Sequence, residues 1–266
     1  MSHEFQDDLG RPLSLAAPPR RIVSLVPSLT ELVCALGRGD RLVGVTRYCT
    51  HPPEVVAALP KLGGTKNPIL GRVVELAPEL VLVNAEENRR EDFQAVVDAG
   101  LSVFVSFPRT VEATVGAIER VGQAIDAGAP ARALAADVTE ALALVSARRV
   151  RVFCPIWRNP WMSFNRDTYA SDLMGCAGGD NVCAAAPDRY PVVDLEAVAR
   201  ADPEVILLPD EPYRFSEQHR RALGPLAGTT AGRAGRVHLV DGKALSWYGP
   251  RTAPAVCQLL HLFAGD

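Results

Sequence analysis

One short unit occurs twice in this chain and narrows what it can fold into. Leu76-Ala77-Pro78-Glu79 runs into Leu80-Val81-Leu82-Val83, and Ala201-Asp202-Pro203-Glu204 runs into Val205-Ile206-Leu207-Leu208. Each begins with a helical pattern, stops at a proline that cannot continue the helix, and resumes as an aliphatic strand-like run. The two prolines lie 125 positions apart. A second pair, Pro27 and Pro155, ends the strand-like runs Arg21–Val26 and Val150–Cys154 and lies 128 positions apart. Two matched offsets in the same order predict two related lobes built from alternating helices and strands.

Further strands are expected at Leu42–Val45 and Ser102–Phe107, with a helix from Glu91 to Ala99 stopped by Gly100. Ser28-Leu29-Thr30-Glu31 has the S-x-x-E spacing of a capping box and predicts a helix starting just past the first strand. Between the lobes, Val111, Val115, Ile118, Val121 and Ile125 recur at helical spacing. Gly128-Ala129-Pro130 is expected to break this connector once, before a second helix from Ala131 to Ala147. The fold class is therefore α/β, two Rossmann-like lobes joined by a long backbone helix. The expected boundaries are 1–109 for the first lobe, 110–147 for the connector and 148–266 for the second lobe.

Composition excludes several classes. A net charge of -3, a pI near 6.0 and scattered arginine pairs do not make a nucleic-acid surface, which needs clustered Lys and Arg. No apolar run reaches the ~18–20 residues of a membrane span. Met1 to Arg11 is polar and acidic, so a cytoplasmic location is expected, or a periplasmic or extracellular one if a signal peptide has been removed. The six cysteines show no CxxC pair, and Cys34 and Cys257 are expected in the core. Nucleophile elbow, Walker A and GxGxxG motifs do not occur, nor do HxH and HExxH, which leaves neither an evident catalytic motif nor a bare-metal site.

Ligands of open α/β sheets sit beyond the carboxyl ends of the strands, so the loops there are the places to look. After Leu42–Val45 comes Tyr48-Cys49-Thr50-His51, where imidazole or thiolate is a candidate axial ligand for cobalt or iron and tyrosine one for ferric haem. His51 packing on Pro52 and Pro53 is the plainer alternative. After Val150–Cys154 comes Trp157-Arg158-Asn159-Pro160-Trp161, two indoles and an arginine suited to a flat, partly polar ligand or to a core patch. Asn84–Arg89, with Glu87, and Asp210–Arg214, with Glu211 and Tyr213, follow the two repeated units. Lys66-Asn67-Pro68 is a further turn.

Arg21–Glu31, Val43–Thr46 and Leu76–Val83 resemble substrate-binding proteins with a helical backbone, the class III metal-chelate receptors that capture corrinoids, ferric siderophores or haem for ABC importers. The similarity spans about Asp8 to Leu262, is greatest to the cobalamin-binding members, and extends to a branch without signal sequences. The resemblance implies a non-catalytic protein that closes a cleft over a corrinoid, with no cofactor of its own. It carries a pocket role to Tyr48 and, in Trp247-Tyr248-Gly249-Pro250-Arg251, to Trp247, Tyr248 and Arg251. Importer-linked members display docking glutamates where this chain has Gly71 and Gly249-Pro250, so permease docking is not expected in its usual form. Two other readings stay open: a haem or ferric-siderophore binder, and a corrinoid-handling enzyme using Cys49.

Overall fold

The computed structural model describes residues 2–144 and 148–265, and the chain divides into two compact units. One comprises Met1–Pro108, Glu112–Asp137 and Tyr248–Pro250, and the other Arg109–Val111, Val138–Trp247 and Arg251–Asp266. Each is built around a four-stranded parallel sheet.

In the first unit the antiparallel hairpin β1 (His3–Gln6) and β2 (Pro12–Leu15) precedes the sheet strands β3 (Ile22–Ser24), β4 (Leu42–Val45), β7 (Leu80–Asn84) and β8 (Val103–Ser106). The spatial order is β4-β3-β7-β8, and a small hairpin, β5 (Gly63–Gly64) with β6 (Asn67–Pro68), lies outside it. In the second unit β9 (Val150–Phe153), β10 (Gly179–Asn181), β11 (Val205–Pro209) and β12 (Val237–Val240) pair in the order β10-β9-β11-β12. Both sheets thus place their strands second, first, third, fourth, and the repeat seen in the sequence is a repeat of topology. Every residue of β7 and of β11 is buried, as strands covered on both faces require. Val23, Leu25, Val81, Val83 and Val105 fill the first core, and Phe153, Ile206, Leu208 and Phe215 the second.

The α/β class holds, while several local expectations change. The helix after β3 spans Pro27–Ala35 with Val26 at its N-cap and no side-chain cap. Pro27 takes the first helical position, where its missing N–H costs nothing, so Ser28 lies inside the first turn and is buried instead of capping. The connector is two helices, Val111–Ala124 and Gly128–Leu142, and the break falls at Ile125–Ala127, where Asp126 has a φ of 56°. Gly128-Ala129-Pro130 forms the first turn of the second helix, which tolerates proline. Val145–Ala147, the predicted end of that helix, lies outside the described residues. Cys257 is exposed on the helix Thr252–Ala264 because it shares a face with Gln258 and His261, whereas Val256 and Leu259 take the core side.

Candidate functional site

In the first unit the site begins where β4 ends. Arg47 N–H donates to the Gly63 carbonyl at 2.8 Å, which docks the β5–β6 hairpin beside the Tyr48 loop. Tyr48 is 50% exposed, with its ring against Gly64. A methyl group at Gly64 would stand 2.5 Å from Asn67 Oδ1 and 3.1 Å from the Tyr48 ring, so a larger residue there would displace the Asn67 side chain and crowd the Tyr48 ring. Arg47 lies over the Tyr48 ring at 4.9 Å, and its guanidinium also donates to the phenol oxygen at 3.0 Å. His51 is half-buried, with Nδ1 2.9 Å from Thr50 Oγ1. Lys66 reaches from the hairpin tip to the Glu86 carbonyl, tying the hairpin to the loop that carries Glu87.

That loop is tightly built. Asn84 Oδ1 accepts from the amides of Glu86 (2.8 Å) and Glu87 (3.0 Å), and Asn88 Oδ1 accepts from Asn84 N (2.9 Å). Asn88 Nδ2 in turn donates to the Thr65 carbonyl at 2.9 Å. Both asparagines are buried, and their roles follow from side chains short enough to satisfy nearby backbone groups.

Cys49, one residue from Tyr48, is only 1% exposed. Its sulfur lies 3.1 Å from Thr30 Oγ1 and 3.1 Å from Thr46 Oγ1. Burial raises the thiol above its ordinary value, and the two threonine hydroxyls only partly oppose this. A buried thiol of this kind is neither a ready nucleophile nor a ready ligand.

In the second unit the loop after β9 folds back on itself, with Trp157 bridged to Met162. Trp157, 43% exposed, meets Tyr213 edge-on at 5.7 Å, and Trp161 stacks on buried Phe215 at 5.8 Å and 16°. Arg158 lies over the Trp161 ring at 5.7 Å. Ser216 N–H donates to His219 Nδ1 at 3.1 Å, which leaves the proton of a neutral imidazole on Nε2, 3.1 Å from the Tyr213 hydroxyl.

A charged group adjoins this cluster. Trp247 is flanked by two cations, Lys243 at 5.8 Å and Arg251 at 5.3 Å from its ring. Arg251 pairs with Asp241 at 2.9 Å, and Lys243 lies 3.6 Å from Glu211 Oε2. Burial raises the Glu211 carboxyl above its ordinary value, with Lys243 pulling the other way. Gly242 must be glycine, since an added methyl would stand 2.5 Å from the Glu211 carbonyl.

The structure therefore brings Tyr48, His51, Lys66, Asn67 and Glu87 to the carboxyl end of the first sheet. It brings Trp157, Arg158, Trp161, Glu211, Tyr213, Trp247 and Arg251 to that of the second. Tyr248 stands apart: it is buried in the first unit, and its hydroxyl accepts from Asn84 Nδ2 at 2.9 Å. Phe215, His219, Asp241 and Lys243 contact these candidate residues and carry no motif. Their position after β11 and β12 is the signal that finds them. Among the described residues no group of three or more His, Cys, Asp or Glu is arranged to hold a bare metal ion.

A family model described as Periplasmic binding protein matches residues 22–244. The chain belongs to the periplasmic binding protein family. It is a non-catalytic substrate-binding protein of the ABC type. Among family relatives, the vitamin B12-binding protein of Vibrio parahaemolyticus is 28% identical over 194 residues, 71% of this chain and 70% of its own. The periplasmic haem-binding protein RhuT of Roseiflexus sp. RS-1 superimposes with a TM-score of 0.80 at 27% identity, covering 92% of this chain and 97% of its own. The periplasmic vitamin B12-binding protein BtuF of Vibrio cholerae shares the periplasmic binding protein fold, with a TM-score of 0.82 at 23% identity over 93% of this chain and 97% of its own. No helix of the described residues is long and apolar enough to cross a membrane.

Proposed function

We propose that this protein reversibly binds a corrinoid through loops at strand carboxyl ends, the tryptophan-bearing loops of the second unit foremost. The observation that carries the reading is that all three tryptophans of the chain lie at the carboxyl end of the second sheet, each against an aromatic ring or a cation. Indoles offer flat apolar faces to a macrocycle, while Arg158, Lys243, Glu211 and Asp241 offer hydrogen bonds to its amide side chains. The vitamin B12-binding relative supports the same ligand.

Haem is the second reading, and Tyr48 favours it. An exposed phenol whose oxygen accepts from a guanidinium is a donor that ferric haem takes. The haem-binding relative at 27% identity supports it as well. Absorbance titration of the purified protein with hydroxocobalamin and, separately, with haemin decides between them. A saturable shift or retention on dialysis is expected with the corrinoid. Retention of haemin alone, lost in Tyr48→Phe, transfers the assignment to haem, and retention of neither moves the search to ferric siderophores.

Six unpaired thiols agree with a reducing compartment, and we propose a cytoplasmic site of action. Recovery of the protein in the periplasmic or extracellular fraction would reverse that.

A further inference from the structure

The periphery of the first unit holds a chain of buried polar groups that ends in the Glu87 loop. Asp8 follows β1, and its carboxylate accepts from Ser106 Oγ (2.9 Å) and Phe107 N (2.7 Å) through one oxygen and from Arg120 Nε (2.7 Å) through the other. A carboxylate only accepts, so the Ser106 proton points to Asp8 and the serine oxygen is left to accept. The buried Tyr248 phenol has Ser106, Asn84 and Ser28 as its hydrogen-bonding neighbours. Asn84 Nδ2 donates to the phenol oxygen, so the phenol proton goes to another of these neighbours, Ser106 or Ser28. At the far end Asn84 Oδ1 receives the amides of Glu86 and Glu87. The loop amides are thus tied through the Asn84 amide to the Tyr248 phenol, while Ser106, which pairs with Asn84 in the strand register and neighbours that phenol, gives its own proton to Asp8.

We infer that Asp8, Ser106 and Tyr248 are positioning residues that hold the Asn84–Arg89 loop in its ligand-receiving form, acting through the two ends of the Asn84 amide. The inference rests on the reading that this loop contacts the chelate. None of the three needs to touch ligand. Fixing the Asn84 amide by its nitrogen fixes its oxygen, and with it the backbone on which Glu87 stands. A buried group in such a chain has no water to replace a lost partner, so the effect of one removal passes along it.

The test is hydrogen exchange of the Glu86 and Glu87 amides, read by mass spectrometry on the full chain, together with titration by hydroxocobalamin and haemin. Tyr248→Phe keeps the ring and removes the hydroxyl. It is expected to speed exchange of these amides and to weaken binding of the retained probe roughly three- to tenfold, the range of one neutral hydrogen bond. Asp8→Asn is expected to act in the same direction, and it supplies the measurement if Tyr248→Phe does not fold. Unchanged exchange in a folded variant overturns the relay, and faster exchange with unchanged probe affinity overturns its service to the ligand. Failure of the wild-type protein to retain either probe overturns the corrinoid and haem readings instead, and the relay is then decided by exchange alone.

Discussion

Ala77 and Asp202 adopt the same left-handed backbone state, with φ of 42° and 48°, each one residue before a buried proline. Each carbonyl accepts from the Nε of an arginine, Arg21 at 3.3 Å and Arg151 at 2.8 Å. The glutamate after each proline accepts from the amide of the same arginine, Glu79 from Arg21 at 3.1 Å and Glu204 from Arg151 at 3.0 Å. The repeated Pro-Glu is thus a clamp that feeds each helix into the central strand of its sheet.

The two positions are expected to respond oppositely to glycine. Ala77→Gly removes a left-handed penalty of ~1–2 kcal/mol and adds ~0.5–1 kcal/mol of chain entropy, so it should stabilise by roughly 0.5–1 kcal/mol. Asp202→Gly should destabilise, because the carboxylate accepts from Thr230 N at 2.7 Å and from Thr230 Oγ1 at 2.8 Å. These bonds, the Thr230 amide foremost, hold the Asp202 carboxyl below its ordinary value. Its contribution is then complete above about pH 4 and lost as pH falls through the lowered folded value. Denaturant melts of wild type and Asp202→Asn should differ at pH 7 and converge in acid.

Helix packing in the connector depends on Gly122. A methyl group there would stand 2.2 Å from Ala131 Cβ, far inside contact distance. Gly122→Ala should force the helices Val111–Ala124 and Gly128–Leu142 apart and cost about 1–3 kcal/mol by overpacking. A melting temperature equal to wild type would mean that the helix pair yields to the added methyl group without cost.

Glu211 gives a pH dependence of opposite sign to Asp202. Burial raises its folded value, so the charged carboxylate is a burden that is absent below the unfolded value and grows as pH rises through the folded one. Glu211→Gln is expected to stabilise the protein at pH 8 and to leave stability unchanged at pH 4. Destabilisation at pH 8 would mean that the Lys243 pair outweighs burial.

Thiol chemistry separates Cys49 from a reactive nucleophile. With Ellman's reagent at pH 8, the exposed Cys257 should react rapidly and Cys49 only on unfolding. Cys34 and Cys176, both half-buried and pushed up to about 11, should react slowly. A burst of modification mapped to Cys49 would revive a chemical role for it.

Trp161→Ala and Trp247→Ala are each expected to weaken chelate binding by about 1–2 kcal/mol, the scale of a lost stacking or cation–π contact. Trp161→Ala should also lower stability, because it uncovers buried Phe215. Equilibrium dialysis beside thermal melts separates the two effects, and wild-type affinity in both variants would remove the indoles from the site.

Much of the fold was legible because its signals are local. The strands at Ile22–Ser24, Leu42–Val45, Leu80–Asn84, Val103–Ser106, Val150–Phe153 and Val205–Pro209 are short aliphatic runs bounded by prolines and glycines, and a buried parallel strand needs little more. The β1–β2 hairpin was not legible, because its anchors, Asp7 and Asp8, look like solvated charges until they meet Val105 N, Ser106 and Arg120 across the fold.

The sequence by itself determined the duplicated α/β plan and the strand ends at which the candidate site residues stand, since backbone stereochemistry and hydrophobic runs act within a few residues. Tertiary structure alone decided which side chains remain available there. Tyr48 and Cys49 are neighbours, yet one is half exposed and the other buried between Thr30 and Thr46. Trp247 and Tyr248 are neighbours, yet one stands between Lys243 and Arg251 while the other hydrogen-bonds to Asn84, 164 positions away in the chain. Adjacent residues point to different surroundings, and those surroundings are assembled from distant segments that no local pattern contains.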